Sequence, residues 1–319
     1  MTARVPVMVG AYAALPAHAP IDDHARYVRL VLELPGVDGL ELPLMIDQAT
    51  DERWLEWTPA GRPSAVTVIP AFAIRGRQDP GFGLASHRED GRAAAVELIR
   101  ELHGTVRRWR DHGRELTVIA VPSAPQMPDL DAAERAFEAS LREIRSWDWG
   151  PTRLVVEHCD ARRAGREPEK GYLPLDREVN VIARTDDAPT ECGLAVNWAR
   201  SVIEHRDVGG ASRDIEQVHE RLRGFILSGV SDHDTGYGPA WADAHTPVVP
   251  RRASTSLLTT LLAREALSRL PRGLWYLAVK TAAKPDSLTM GERIALVTPA
   301  VELLAAARDG QADESERTA

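Results

Sequence analysis

Cysteine is scarce: Cys159 and Cys192 are the two in 319 residues. They form no CxxC pair and no zinc-ligand spacing, which argues against a disulfide framework or a structural zinc and fits a reducing, cytoplasmic setting. No Gly-rich phosphate turn follows any strand-like segment, so a doubly wound nucleotide-binding sheet is the weaker architecture. No apolar run is long enough to span a membrane. Positive charge is not in excess either. The net charge is −8, which speaks against a nucleic-acid partner held by bulk electrostatics.

What is present is the composition of an ordinary globular protein, 44% hydrophobic and 27% charged, with enough apolar material for a sizeable core. Arginines are interspersed with Asp and Glu, as on solvated helical faces. At the N-terminus, Arg4, the apolar run Val5–Leu15 and Ala17-His-Ala19 imitate a secretory signal. Pro6 and Gly10 interrupt that run, and a buried first strand over Val7–Tyr12 matches the later segments better.

Short apolar segments rich in Val, Ile and Leu recur along the chain: Val7–Tyr12, Gly39–Leu44, Ala65–Pro70, Leu116–Val121, Leu154–His158, Gly193–Asn197, Gly224–Ser228 and Leu274–Lys280. Most lack polar alternation, as strands covered on both faces do. Helical patterns lie between them: His24–Leu34, the short Asp51–Trp57, Gly91–His112 stopped by Gly113, a helix capped by Asp131 and running to Trp147, Leu175–Ala183, a helix capped by Ser212, Ser254–Leu270 and Leu288–Ala307. Strands alternating with helices predict a parallel sheet, and this count in about 300 residues is that of a single (β/α)₈ TIM barrel over 1–310. The polar stretch 311–319 reads as a disordered tail.

In such a barrel the chemistry lies at the carboxyl ends of the strands. There the sequence places Tyr12, Glu41, Ser123, Glu157 with His158, Asn197, Ser228 and Lys280. Successive strand residues face opposite ways, so Glu157 is expected inward and His158 toward the surrounding layer. Plainer roles stand beside these. Glu41 could salt-bridge a neighbouring strand, Glu157 could pair structurally with Lys280, Asn197 could cap the segment Trp198–His205, and Arg200 could be a surface charge. The loop 231–245 carries Asp232, His233, Tyr237, Trp241 and His245 with little aliphatic content. It reads as a substrate lid, with Tyr237 and Trp241 stacking on a sugar-like ring, or as an Asp- and Gly-rich turn cluster.

Several stretches carry a family resemblance: Val9-Gly-Ala-Tyr-Ala13, Gly39-Leu-Glu-Leu-Pro43, Gly83-Leu-Ala-Ser86, Ser146-Trp-Asp-Trp149, Val156-Glu-His-Cys-Asp160, Glu169-Lys-Gly171, Asn197-Trp-Ala-Arg-Ser201 and Trp241-Ala-Asp-Ala-His245. With them the chain resembles the xylose isomerase-like TIM barrels, and within these a bacterial branch classed as a domain of unknown function. The resemblance covers nearly the whole chain. It implies proton transfer next to a sugar carbonyl, commonly on a divalent metal (Mn, Mg or Zn) held by carboxylates or histidines at the ends of strands five to eight. Glu157 matches the strand-five carboxylate. The other positions depart from the pattern, with Asn197, then Ser228 or Asp232, then Lys280, whose ammonium cannot ligate a metal. A metal, where bound, would fall to Glu157, Asp232 and His233, or to His245.

The leading expectation is therefore an isomerase or epimerase of a sugar or sugar acid, phosphorylated ones included, that requires no cofactor. Glu157 would be the base and Lys280 the electrophile, with Asp232 or His158 returning the proton. Tyr12, Glu41, Asn197, Ser228, Tyr237, Trp241 and His245 would contact substrate, and Arg200 with Lys170 would hold an acidic substituent. The alternatives are a Schiff-base lyase or aldolase on Lys280 and a sugar-binding barrel without catalysis. The expected partner is a small sugar-like molecule. Neither nucleic acid nor a membrane is expected, and a homo-oligomer is compatible with the sequence.

Overall fold

The computed structural model describes residues 4–16, 19–44, 56–251 and 253–318. Eight parallel strands follow one another in chain order round a closed barrel. They are β1 (Val7–Val9), β2 (Gly39–Pro43), β3 (Pro63–Thr67), β4 (Glu115–Val121), β5 (Arg153–Glu157), β6 (Cys192–Asn197), β7 (Leu222–Leu227) and β8 (Tyr276–Val279). All eight overlap the apolar segments read from the sequence, although β3 ends at Thr67 and Ile69 and Pro70 already open a helix. The fold is the expected (β/α)₈ barrel. The helices described are α1 (Ile21–Leu32), α2 (Ile69–Gln78), α3 (Glu89–Asp111), α4 (Leu130–Arg145), α5 (Leu175–Arg184), α6 (Trp198–His205), α7 (Gly210–Gln217), α8 (Thr260–Leu267) and α9 (Met290–Thr318). Most of the expected segment Asp51–Trp57 lies outside the described residues. The recorded span of α9 includes most of the stretch 311–319, for which composition alone predicts disorder.

The chain divides into two compact units, Met1–Glu41 with Val196–Ala319, and Leu42–Ala195. The divisions fall inside β2 and β6, which is why no linker composition marks them.

In the first unit β1 pairs with both β2 and β8, in the registers Val9↔Leu40 and Val9↔Val279. The next residue of each strand, Gly10, Glu41 and Lys280, therefore stands at one level. Arg293 of α9 is 3% exposed and donates to the carbonyl of Ala14 at 2.6 Å. Arg308 reaches Asp38 at 2.7 Å, and Asp38 also takes the N–H of Val7 at 2.8 Å. These buried arginines tie the last helix to the first strand.

In the second unit the pairings β3–β4, β4–β5 and β5–β6 carry the sheet, the last ending in Glu157↔Ala195. Helix α3 buries Ala95, Val96, Ile99, Leu102, Val106 and Trp109, and Gly113 beyond its end adopts φ 68°, the left-handed stop that glycine makes cheap. Helix α4 buries Phe137, Leu141 and Ile144 completely. Each such side chain contributes about 1.5–3 kcal/mol relative to exposure.

Three helix starts differ from expectation. Asp129, not Asp131, caps α4 and accepts from the N–H groups of Asp131 and Ala132. Asp131 instead pairs with Arg177 at 2.6 Å. Ser212 lies inside α7, whose cap position is Gly209. Helix α8 begins only after Thr259, whose hydroxyl accepts from Leu262. For α4 and α8 several polar residues could cap, and the fold selects the one whose backbone is extended. Gly209 is already in the helical region and offers no side-chain cap.

Candidate active site

Lys280 follows β8 directly, and Glu41 lies in β2 on the face opposite Leu40 and Leu42. They are two strands apart, with β1 between them. Gly10 is the β1 residue at their level. A Cβ there would sit 3.1 Å from Tyr12 Cε1 and 3.4 Å from Lys280 Cγ. The missing side chain lets the two long ones meet over β1. Lys280 Nζ lies 2.9 Å from Glu41 Oε1, with the side chains 4% and 1% exposed. Tyr12, from the short 3₁₀ turn Ala11–Ala14, donates to the same Oε1 at 3.2 Å. Desolvating two charges costs several kcal/mol each, and close pairing with added hydrogen bonds offsets that cost. An ammonium so held is a hydrogen-bond donor and not a nucleophile.

A second polar chain in this unit joins the ends of β6 and β7 to the loop 231–245. Asn197 both ends β6 and caps α6, accepting from Ala199 at 3.1 Å. Ser228 donates to Asn197 Oδ1 at 3.4 Å and lies 3.2 Å from His245 Nδ1. Asp243 Oδ1 approaches the same Nδ1 at 3.5 Å. Serine and aspartate thus meet one ring nitrogen, so this is not a serine–histidine–aspartate relay, which needs them on opposite nitrogens. Arg200 forms a close ion pair with Asp243 and is 3% exposed. This corrects the surface-charge reading of Arg200, since its guanidinium is committed to the loop.

The loop itself is anchored rather than loose. Its Trp241 and His245 have positive φ, 64° and 51°, which costs energy in non-glycine residues. Both are held. Trp241 N donates to the carbonyl of Ser231 at 2.8 Å, and Ala282 N donates to that of His245 at 2.7 Å. The Arg206 guanidinium lies 4.5 Å from the centre of the Trp241 ring. Burial pushes the Tyr237 hydroxyl up in pKa, the Lys284 backbone acting in the opposite direction, so it stays a protonated donor. Asp232 and His233 pair with each other at 2.7 Å and are 30% and 50% exposed.

In the second unit Glu157 closes β5 and is 1% exposed. His158, next in sequence, reaches Glu178 of α5, its Nδ1 2.7 Å from Oε2. Ser123, just beyond β4, donates to the other oxygen of Glu178 at 2.5 Å and accepts from Leu173 N at 3.2 Å. His158 therefore faces the helical layer, as alternation predicts. Glu178 escaped the sequence reading, yet it left a signal. It stands between Leu175, Val181 and Ile182 on the buried stripe of α5, where an unneeded carboxylate would be costly.

Asp160, fully buried, organises the next loop. Its side chain accepts from Glu169 N at 2.6 Å and Lys170 N at 3.0 Å, and its carbonyl accepts from Gly171 and Tyr172. Lys170 pairs with Glu169 at 3.0 Å.

The strand-six and strand-eight positions do not present the oxygen ligands a divalent metal needs. Among the described residues no three His, Cys, Asp or Glu side chains are gathered as an ion requires. The strand-eight position is an ammonium tied to Glu41, and the strand-six position is an amide oxygen already accepting from a backbone N–H and a hydroxyl. Hard cations want several anionic or carbonyl oxygens. Nor is any described helix long and apolar enough to cross a membrane.

Comparison with known proteins agrees with the barrel. A zinc-bound crystal structure of the IolI protein superimposes with a TM-score of 0.60 at 11% identity, covering 95% of this chain and 98% of that one. A xylose isomerase domain protein from Alicyclobacillus acidocaldarius gives 0.55 at 15% identity, covering 96% of this chain and 100% of that one. A sugar phosphate isomerase/epimerase from Parabacteroides distasonis gives 0.53 at 11% identity, covering 96% and 95%. At such identities these likenesses establish the fold, which is xylose isomerase-like. In sequence the chain is 30% identical over 307 residues to "Uncharacterized protein STM3670" of Salmonella typhimurium, covering 93% of this chain and 96% of that protein. Residues 8–296 match the family described as Domain of unknown function (DUF4862), and the chain belongs to that family.

Proposed function

We propose that this protein is an isomerase or epimerase that moves a proton next to the carbonyl of a sugar or sugar acid. The observation that carries the reading is the buried trio at the ends of β8 and β2: Lys280 and Tyr12 both donate to one oxygen of Glu41. Such donors, fixed before substrate arrives, suit an oxygen that gains charge during reaction. The name of the sugar phosphate isomerase/epimerase among the fold neighbours supports the class.

In this reading a carboxylate takes the proton from the carbon beside the carbonyl. The electron pair of that C–H bond moves into a C=C bond, and the carbonyl oxygen becomes an enediolate oxygen. Lys280 stabilises that oxygen, with Tyr12 as a second donor. For isomerisation the proton returns to the former carbonyl carbon, while the adjacent hydroxyl gives its proton to the enediolate oxygen and becomes the new carbonyl. Return to the opposite face of the original carbon, with the carbonyl re-formed, gives epimerisation. Asp232 is the proposed donor in that return step. His158, held by Glu178, fits better as a group that positions the end of β5. Two carboxylates are proposed as the base, Glu157 and Glu41. The donor role of Lys280 counts against the Schiff-base reading, which needs a neutral amine.

The test is wash-in of solvent deuterium at the carbon beside the carbonyl, over a panel of aldoses, ketoses, uronates and their phosphates. Lys280→Met should lower kcat by about 10²–10³, the size of one lost oxyanion donor. Comparing Glu157→Gln with Glu41→Gln assigns the base, which is the variant that abolishes exchange. Turnover without any deuterium incorporation, or full exchange in both carboxylate variants, refutes the proposal.

A further inference from the structure

We propose a binding site for a small amphipathic organic anion, a carboxylate or phosphate carried on an apolar body. The site lies wholly within the Leu42–Ala195 unit. Its basis is a cavity of about 920 Å³ whose walls include none of the residues proposed above to react but do include Lys170, which the sequence suggested for an acidic substituent. Calorimetry reads binding and not turnover, so its failure is distinct from failure of the isomerase reading. Pockets of a few hundred to a thousand Å³ with mostly apolar walls and a few placed polar groups are the usual form of small-molecule sites.

The floor is apolar and preformed. Phe72, Phe82 and Tyr172 line it, and they are 1%, 6% and 8% exposed. The rings of Phe72 and Phe82 are 5.1 Å apart at an angle of 58°, a favourable tilted pairing that fixes both. Four prolines, at 80, 125, 128 and 174, also line the cavity, and each restricts its own backbone. Such walls lose little freedom when a ligand enters.

The rim is cationic, and it is built rather than incidental. Arg77, Arg162 and Lys170 line the cavity against one carboxylate, Glu169. Lys170 and Arg162 belong to one loop, and the fold fixes both. The buried Asp160 accepts from the N–H of Lys170. Gly171 beside it adopts φ +72°, and a Cβ there would come within 2.7 Å of Gln126. In the amide orientation that its hydrogen bonds require, Gln126 accepts from Arg162 Nε at 2.9 Å. A buried acid, a glycine and an amide thus set two cations over an aromatic floor. A polyol would leave that floor wet. A neutral hydrocarbon would leave three cations facing two carboxylates, Lys170 on Glu169 at 3.0 Å and Arg162 on Glu167 at 3.5 Å, with positive charge in excess. An anion on an apolar body answers both.

The experiment is calorimetric titration of the full chain with benzoate, phenyl phosphate, benzamide and inorganic phosphate. Benzoate or phenyl phosphate should bind at least tenfold more tightly than benzamide and than inorganic phosphate, and the better of the two names the anionic group. Lys170→Met and Arg162→Met each change a partly exposed side chain, and each should weaken that binding about tenfold with the far-UV spectrum unchanged. Equal binding of benzamide would reduce the site to an apolar hollow. Equal binding of inorganic phosphate would reduce it to surface charge. No heat with either organic anion overturns the proposal outright.

Discussion

The two units use the ends of their strands in opposite ways. In the unit Met1–Glu41 with Val196–Ala319, two strand residues of opposite charge turn toward each other. Lys280 and Glu41 meet over Gly10, and Tyr12 adds a third bond. In the unit Leu42–Ala195, His158 turns away from its strand neighbours to a helix. There Glu178 takes both its imidazole and the Ser123 hydroxyl. A polar residue at a strand end is thus not defined by its position. What stands across from it decides whether it is a fixed charge available to chemistry or a strut between layers.

The comparison is broken most easily at the ion pair. Lys280→Met leaves the Glu41 carboxylate buried without its cation and should destabilise the fold by about 3–5 kcal/mol. Adding Glu41→Gln should recover much of that, because the uncompensated charge is then gone. Denaturant unfolding of the two single variants and the double variant measures the coupling. Strictly additive losses would mean that the pair does not act as a unit.

Glu178→Ala should cost somewhat less, about 2–4 kcal/mol. It strands an imidazole and a hydroxyl and removes the buried carboxylate that both face. Glu178→Gln should retain most of the lost stability, since an amide oxygen still accepts. A Gln variant as unstable as Ala would show that the charge, not the acceptor, holds His158, and would make the two units alike.

The smallest effect is at the surface. The N–H of Ala132 holds the Asp129 carboxyl below its ordinary value; burial opposes it, and the N–H of Asp131 adds a lesser lowering. A group whose pKa falls on folding adds stability that is fully present above its unfolded pKa. That stability is lost as pH falls through the folded value. The melting temperature of Asp129→Asn, tracked against wild type, should therefore trail it at neutral pH and converge with it in acid. A gap that widens in acid would contradict the capping role.

All eight strands were legible in the sequence because a strand covered on both faces must be apolar along its length. The amphipathic stripes of α3 and α4 were legible for the same reason. Helix starts were less so. Asp129 and Asp131 are chemically equal caps, and Thr259 and Ser254 nearly so; only backbone geometry separates them. In the candidate site, Tyr12, Glu41, Asn197, Ser228 and Lys280 were found by looking at strand ends. Glu178, Asp243 and the gap at Gly10 were not. A partner across the fold leaves no spacing rule in the chain, although a carboxylate inside an apolar helical stripe is a clue.

Periodicity and apolar runs, which are local, determined the barrel, its element order and the strand ends where polar side chains would gather. They also determined that His158 would face away from Glu157, because alternation is a property of the strand itself. Only the tertiary structure decided who pairs with whom: Lys280 with Glu41 across a glycine, His158 with a helix, Arg200 with a loop. Those choices depend on distances between residues far apart in the chain, and such distances exist only once the chain has closed on itself.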